Sequence, residues 1–274
     1  MSRVLFLIQV SRPIVWFFLP MVYYLGLNAA GAEVTPAAAA QMLLLTFPMN
    51  LIGCGLNDIY DYESDRICKR RSSIWGVAVG EKDQPLVWRA SLAMMPLVLA
   101  GGVASASVVN LAATTGLLLL AWAYSVPPVR LKERPPLDSL ANGLGYFLLP
   151  LVMGYSLGAD PRGMPLKYYL LALSVCGVHA LATAADYNAD REAGHRTLAV
   201  VYGRRTAASV AFAAFLVTWV ASDFHGVAVR VFVAMCVLVT FVAALVPRDR
   251  PINVACCAIF VGFLIAAVCH VCGL

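Results

Sequence analysis

Nine apolar stretches, most close to twenty residues long, leave this chain few ways to fold. They fall at residues 13–30, 37–57, 88–108, 111–126, 138–157, 166–185, 206–222, 228–246 and 252–272. A helix needs roughly 20 apolar residues to cross the hydrocarbon core of a bilayer. Charged residues make up 13% of the chain, about half the share in a soluble domain. The pattern predicts an all-α integral membrane protein, a nine-helix transmembrane bundle forming one domain over residues 1–274. Pro20, Pro48, Pro96 and Pro150 lie inside spans, where neighbouring helices or waters satisfy the backbone groups that each frees.

The basic residues give an orientation. With the N-terminus inside, only Arg162, Lys167 and Arg230 of the 20 lysines and arginines fall in outside segments. That bias follows the positive-inside rule and supports an odd number of spans. The net charge of +5 is therefore explained by membrane topology, and no nucleic-acid partner follows from it. The opening MSRVLFLIQVSRP is interrupted by Arg12 and Pro13 and does not read as a signal peptide. The eight cysteines sit mostly in apolar runs, where a thiol behaves as a small hydrophobe.

Against this background one polar stretch stands out. NDIYDYESDR, residues 57–66, places Asp58, Asp61, Glu63 and Asp65 at the inside end of the second span. At ~100° per residue, Asn57, Asp58, Asp61 and Asp65 share an arc of roughly 100°. Glu63 points away. Carboxylates at neighbouring helical positions repel, so this face calls for a cation, and a hard divalent metal with oxygen ligands is the simplest candidate. A second copy, DYNADR at residues 186–191, follows the sixth span. Asp186 and Asp190 are four apart and share a helix face. The matched placement suggests a parallel repeat, with paired sites facing one cavity.

Cations adjoin both copies. Arg66 and Arg70 follow the first, Arg130 and Lys132 lie in YSVPPVRLKERP, and Arg12 opens the first span. Acids able to hold Mg²⁺, with arginines beside them, describe a site for a diphosphate. At the mouth of an apolar bundle, that head group implies a substrate with a hydrocarbon tail. Prenyl diphosphates fit, and a carbocation left by ionisation would be stabilised by aromatic faces. Trp16, Phe17, Tyr23, Tyr24, Trp122, Tyr124, Tyr146, Phe147 and Tyr155 are available. His179 lies seven residues before Asp186 on nearly the same helix face; it could touch an acceptor, and a packed histidine fits the position as well. Cys269-His270-Val271-Cys272 has no second ligand pair and is not read as a metal site.

These residues resemble the UbiA superfamily of intramembrane prenyltransferases along nearly the whole chain. Asn57, Asp58, Asp61 and Asp65 match its first motif, NDxxDxxxD. Asp186 and Asp190 match its second, DxxxD, and GHRTLAVVYG at 194–203 looks like the stretch that follows. Arg12-Pro13 is similar to the opening of the family's first span. The resemblance implies that Asn57, Asp58, Asp61, Asp65, Asp186 and Asp190 are catalytic, and that Asp61, Asp65, Asp186 and Asp190 bind magnesium. It also implies that Arg12, Arg66, Arg70, Tyr124, Arg130 and Lys132 contact the diphosphate. The motif stretches look most like the lycopene elongase-like and chlorophyll synthase-like branches.

The expectation is therefore Mg²⁺-dependent transfer of a prenyl group from an isoprenyl diphosphate to a lipophilic acceptor. A carotenoid-like acceptor is slightly favoured over an aromatic quinone or chlorophyll precursor. The active site would face the cytoplasm or an equivalent compartment. An intramembrane terpene cyclase of the same fold is one alternative. A transporter is another, although its charges should lie at mid-span, whereas here they cluster at span ends.

Overall fold

The computed structural model describes residues 2–62 and 77–271. These residues form helices and connecting turns, with no strand among them. The helices are α1 (Arg3–Val10), α2 (Phe18–Ala29), α3 (Pro36–Leu44), α4 (Phe47–Tyr60), α5 (Gln84–Ala104), α6 (Val108–Ser125) and α7 (Leu137–Asn142). They continue with α8 (Leu149–Tyr155), α9 (Leu166–Glu192), α10 (Leu198–Tyr202), α11 (Arg204–Ala221), α12 (Val227–Leu245) and α13 (Asp249–Val271).

Among the described residues, seven helices are long and apolar enough to cross a membrane: Pro36–Tyr60, Gln84–Ala104, Val108–Ser125, Leu137–Tyr155, Leu166–Glu192, Val227–Leu245 and Asp249–Cys269. An eighth is added if Arg3–Val10 and Pro13–Ala29, bent by 46°, make one broken span. The described residues thus give seven or eight spans by length and composition, against the nine expected. The shortfall is α11, which is helical over 18 residues but opens with Arg204 and Arg205 and carries polar residues along its length.

The prolines explain several of the breaks. Pro48 falls in the first turn of α4 and Pro150 in the first turn of α8. Pro20 is the third residue of α2. In a helix's first turn the missing N–H would have had no intrahelical partner. Pro96 lies in the interior of α5, and Pro48 and Pro150 also fall inside the longer spans Pro36–Tyr60 and Leu137–Tyr155. Leu137–Tyr155 is continuous through a π-type turn at Gly143–Leu148.

The chain divides into two compact units. The first comprises Met1–Leu131 and Leu144–Met164. Its core gathers Leu19, Tyr23, Leu27, Leu45, Ile52, Leu56, Leu117 and Met153. Close packing of α2 on α8 depends on two glycines: a Cβ on Gly26 would overlap the Leu151 carbonyl, and one on Gly154 would overlap that of Tyr23. Small residues that let backbones touch are a common device where lipid gives helices no hydrophobic reason to associate. A buried polar network adds to it. Tyr23 donates to Gln41 Oε1 at 2.9 Å, Gln41 Nε2 to Asn110 Oδ1 at 2.8 Å, and Asn110 Nδ2 to the Met153 carbonyl at 2.8 Å. Four helices, α2, α3, α6 and α8, are tied by these bonds.

The second unit comprises Lys132–Gly143 and Pro165–Leu274. Its core joins Ala180, Leu181, Ala184, Ala207, Ala211, Phe215, Val233, Cys236 and Ile259. Alanines on α9 and α11 bring those helices close, and Ser174 Oγ donates to Thr218 Oγ1 across them at 2.8 Å. Gly143 meets α9 where a Cβ would overlap the Cys176 thiol and the Ala172 carbonyl.

Candidate active site

In the first unit the polar stretch begins within the last turn of α4. Asn57 and Asp61 are half-buried, but Asp58 is fully buried. The expected single face is thus divided, because Asp58 turns inward to Arg12. Arg12 Nη2 donates to Asp58 Oδ1 at 2.5 Å. Arg12 stands at the break between α1 and α2 with a left-handed backbone, φ 53°, a conformation uncommon for a non-glycine residue. The following Pro13 starts a short 3₁₀ turn and offers no N–H. The sequence pair Arg12-Pro13 is therefore a kink that aims a guanidinium at the second acid of the motif.

The end of α4 has an electrostatic problem. Helix C-termini carry partial negative charge and disfavour acids, yet Asp58 and Asp61 both lie there. Arg130 answers it. Its Nη2 donates to the Tyr60 carbonyl at 3.1 Å and lies 4.0 Å from Asp61 Oδ1. Arg130 also has a positive φ, 40°. Two cations of this unit are held by backbone that costs free energy to maintain, a feature that clusters at functional sites. Tyr124 sits, half-buried, in the last turn of α6. Asp65, Arg66 and Arg70 lie outside the described residues, as do Glu63 and the rest of the first repeat copy beyond Tyr62.

Aromatic rings adjoin this end of the unit. Tyr60 meets Trp88 edge-on at 6.3 Å between centroids, and Trp88 meets Trp122 at 5.3 Å. Phe18 and Tyr146 make a T-shaped pair at 6.2 Å, and Tyr146 keeps 37% of its surface accessible. Tyr23, Phe147 and Tyr155 are core residues instead, which separates them from the sequence-expected aromatic candidates that retain accessible surface.

In the second unit, α9 carries Asp186 and Asp190 in its last two turns, both half-buried. Thr197 donates to Asp190 Oδ2 at 3.1 Å, and the His195 N–H to the Asp190 carbonyl at 2.8 Å. His195 Nδ1 lies 2.7 Å from Glu133 Oε1. Lys132, next in sequence to Glu133, is buried. Arg204 pairs with Asp249, donates to the Ala184 carbonyl at 3.1 Å and lies over the Tyr187 ring. It is thus engaged at the base of α11.

Three participants escaped the reading of the sequence: Glu133, Asp138 and Ser139. Asp138 is fully buried. Its Oδ2 accepts from the Leu198 N–H at 2.9 Å and its Oδ1 from the Ser139 N–H at 2.7 Å. It therefore serves as the N-terminal acceptor of α10 from sixty residues away, in place of a local cap. The available signal was an acid at the start of an apolar span, which is costly unless partnered. Ser139 Oγ in turn lies 3.1 Å from His179 Nδ1.

Among the described residues, no group of three or more histidines, cysteines, aspartates or glutamates stands close enough to hold a metal ion. That does not conflict with magnesium, which commonly takes one or two protein carboxylates and completes its octahedron with water and phosphate oxygens. The donors present, carboxylates and an amide, are all-oxygen, which suits Mg²⁺ and not a thiolate- or imidazole-seeking metal. The residues fit that ion in kind.

Comparison with known proteins identifies the family. Residues 17–271 match the model of the UbiA prenyltransferase family. The chain is 31% identical over 211 residues to a lycopene elongase/hydratase of Haloarcula japonica, covering 72% of this chain and 67% of that one. It is 27% identical over 224 residues to the bacteriochlorophyll synthase 33 kDa chain of Rhodobacter capsulatus, covering 75% and 69%. In fold it is similar to a UbiA homolog from Archaeoglobus fulgidus bound to DMAPP and Mg²⁺, with a TM-score of 0.69 at 18% identity over 96% of this chain and 99% of that one. The chain belongs to the UbiA prenyltransferase family and is an integral, multi-pass membrane prenyltransferase.

Proposed function

We propose that this single-domain enzyme transfers a prenyl group from an isoprenyl diphosphate to a lipophilic polyene of the carotenoid class and releases diphosphate. The observation that carries the reading is the charge arrangement around α4: a motif acid fully buried against Arg12, and a second acid that keeps some accessible surface beside Arg130. The second is the one assigned here to the ligand. The likeness to a lycopene elongase/hydratase favours a polyene acceptor. The bacteriochlorophyll synthase likeness keeps a chlorophyll precursor as the second reading. A homolog's binding of DMAPP and Mg²⁺ favours a short allylic donor.

In this reading Asn57, Asp61 and Asp65 of the first motif, with Asp186 and Asp190 of the second, bind the magnesium-diphosphate. Asp58 acts by holding Arg12. Arg66, Arg70, Arg130, Lys132 and Tyr124 contact phosphate oxygens, and Arg12 completes the cationic border. Magnesium, when bound, would offset the charge that builds on the departing diphosphate. The chain's own cations stabilise the same charge, and being fixed in advance they need no reorganisation as it develops. The rings near Tyr60 and Phe18 present faces to the allylic cation and exclude water from it. The acidic ends of α4 and α9 face the cytoplasmic or equivalent side, as the distribution of lysine and arginine requires.

Membranes containing the protein, supplied with dimethylallyl diphosphate, Mg²⁺ and an acyclic C40 polyene, should release diphosphate and yield a polyene heavier by one or two C5 units. Chelation of Mg²⁺ should stop both. Diphosphate release with no alkylated acceptor, accompanied by a cyclised donor, would instead identify a cyclase.

A further inference from the structure

Glycine in a helix interior is less stable than alanine, and it is kept where packing or function brings something close to the backbone. α4 carries two glycines, Gly53 and Gly55. Gly55 has a packing reason: a Cβ there would stand 2.8 Å from Ser91 Oγ and 2.9 Å from Val87 Cγ1. Gly53 has none. A Cβ at Gly53 meets nothing within 4 Å, which holds for no other glycine inside an α-helix among the described residues. Its φ is not positive either. Neither packing within the protein nor backbone conformation requires glycine at this position.

The open space beside Gly53 does not face lipid. No residue of α4 is exposed, whereas α5 turns Leu97 and Val103 outward at 48% and 61% exposure. From Met49 to Asp58, every residue of α4 is buried except Gly53 and Asn57. These two are four apart and share a helix face. Tyr60 and Asp61, seven and eight residues beyond Gly53, are half-buried and continue the same stripe. A ligand-accessible strip therefore runs along α4 from the motif acid, past the motif amide, to bare backbone. At 1.5 Å per residue, Gly53 lies about 12 Å from Asp61 along the helix axis and about 6 Å from Asn57. The strip is polar at the Asp61 end and carries no polar side chain at Gly53. That gradient suits a molecule with a charged head and a hydrocarbon tail.

We propose that the hydrocarbon tail of the prenyl diphosphate lies against the α4 backbone at Gly53, and that the missing side chain there sets the length of tail the enzyme admits. The inference rests on the prenyl-donor reading above. Gly53 is then a specificity-determining residue, remote from the bond that breaks. A methyl group at this position takes up space that the tail would fill, without touching the rest of the protein. Longer tails reach further past Asn57 and lose most. Inorganic diphosphate has no tail and loses nothing.

The experiment titrates purified protein in detergent, with Mg²⁺, using inorganic diphosphate and the unreactive thiolodiphosphate analogues of dimethylallyl and geranyl diphosphate. Wild type is compared with Gly53→Ala and Gly53→Leu, and thermal unfolding is followed for each. Gly53→Ala should weaken binding of the geranyl analogue about tenfold, the effect of one methylene-sized change in a close-fitting apolar site. The dimethylallyl analogue should weaken by less, and diphosphate affinity and the unfolding midpoint should stay at wild-type values. Gly53→Leu should weaken the geranyl analogue by ~10²-fold. Gly53→Ala protein that binds the geranyl analogue as wild type does, that loses all three ligands equally, or that unfolds at a lower temperature overturns the role of Gly53. So does wild type that binds the geranyl analogue no more tightly than diphosphate. Wild type that binds none of the three overturns the prenyl-donor reading itself, and this inference with it.

Discussion

Arg12 Nη2 and Asp58 Oδ1 stand 2.5 Å apart, with the carboxylate fully buried and the arginine about one-quarter exposed. The second acid of NDIYDYESDR is thereby neutralised from within the protein, forty-six residues away in sequence. A buried ion pair of this kind contributes little net stability over an apolar pair, but removing one partner strands the other's charge. Arg12→Ala or Asp58→Ala should each cost about 3–5 kcal/mol. The double substitution should cost less than the sum of the two. Thermal unfolding of the purified protein in detergent reads all three.

Asp61 differs from Asp58 in keeping 14% of its side-chain surface exposed, with Arg130 at 4.0 Å. Asp61→Asn should leave the unfolding midpoint within a degree or two of wild type while turnover falls by about 10²-fold or more. Asp190→Asn should behave in the same way. Retained turnover in both would remove these carboxylates from the site.

Asp138 makes the opposite forecast. Its two acceptor bonds satisfy the Leu198 and Ser139 N–H groups in a buried setting. Asp138→Ala leaves both donors without that acceptor, at about 1–3 kcal/mol for each buried group. Hydrogen exchange at the Leu198–Tyr202 amides should accelerate, whereas amides in α2 and α3 should not change.

Gly154→Ala would place a methyl on the Tyr23 carbonyl, and Gly26→Ala one on that of Leu151. Neither helix can yield without opening the other contact. Each substitution should lower the yield of folded protein. The same change at Gly53, where a Cβ meets nothing within 4 Å, should be tolerated.

Apolar run length reveals where helices form, because that property belongs to each segment alone. Arg204 and Arg205 show its limit: the stretch they open is helical, but its composition does not mark it as a span. The proline breaks were visible as residues, but not whether each began a helix or interrupted one. The motif acids were visible too, and their angular positions on α4 followed from the helical period. Periodicity does not say what stands opposite a face, so the separation of Asp58 from Asn57 and Asp61 had to come from Arg12. Asp138 illustrates the same limit. A cap normally lies beside its helix, and one supplied from sixty residues away leaves no local pattern.

Leu144–Met164 belongs to the same unit as Met1–Leu131, with a segment of the other unit between them in sequence. During synthesis the partners of α8 are made first, and Gly26 waits for Gly154 until more than 120 further residues have been translated. The Asn110 amide likewise finds the Met153 carbonyl only then. The order of synthesis therefore makes the first unit late to close, and chains truncated after residue 131 should reach the membrane as substrates for quality-control proteolysis.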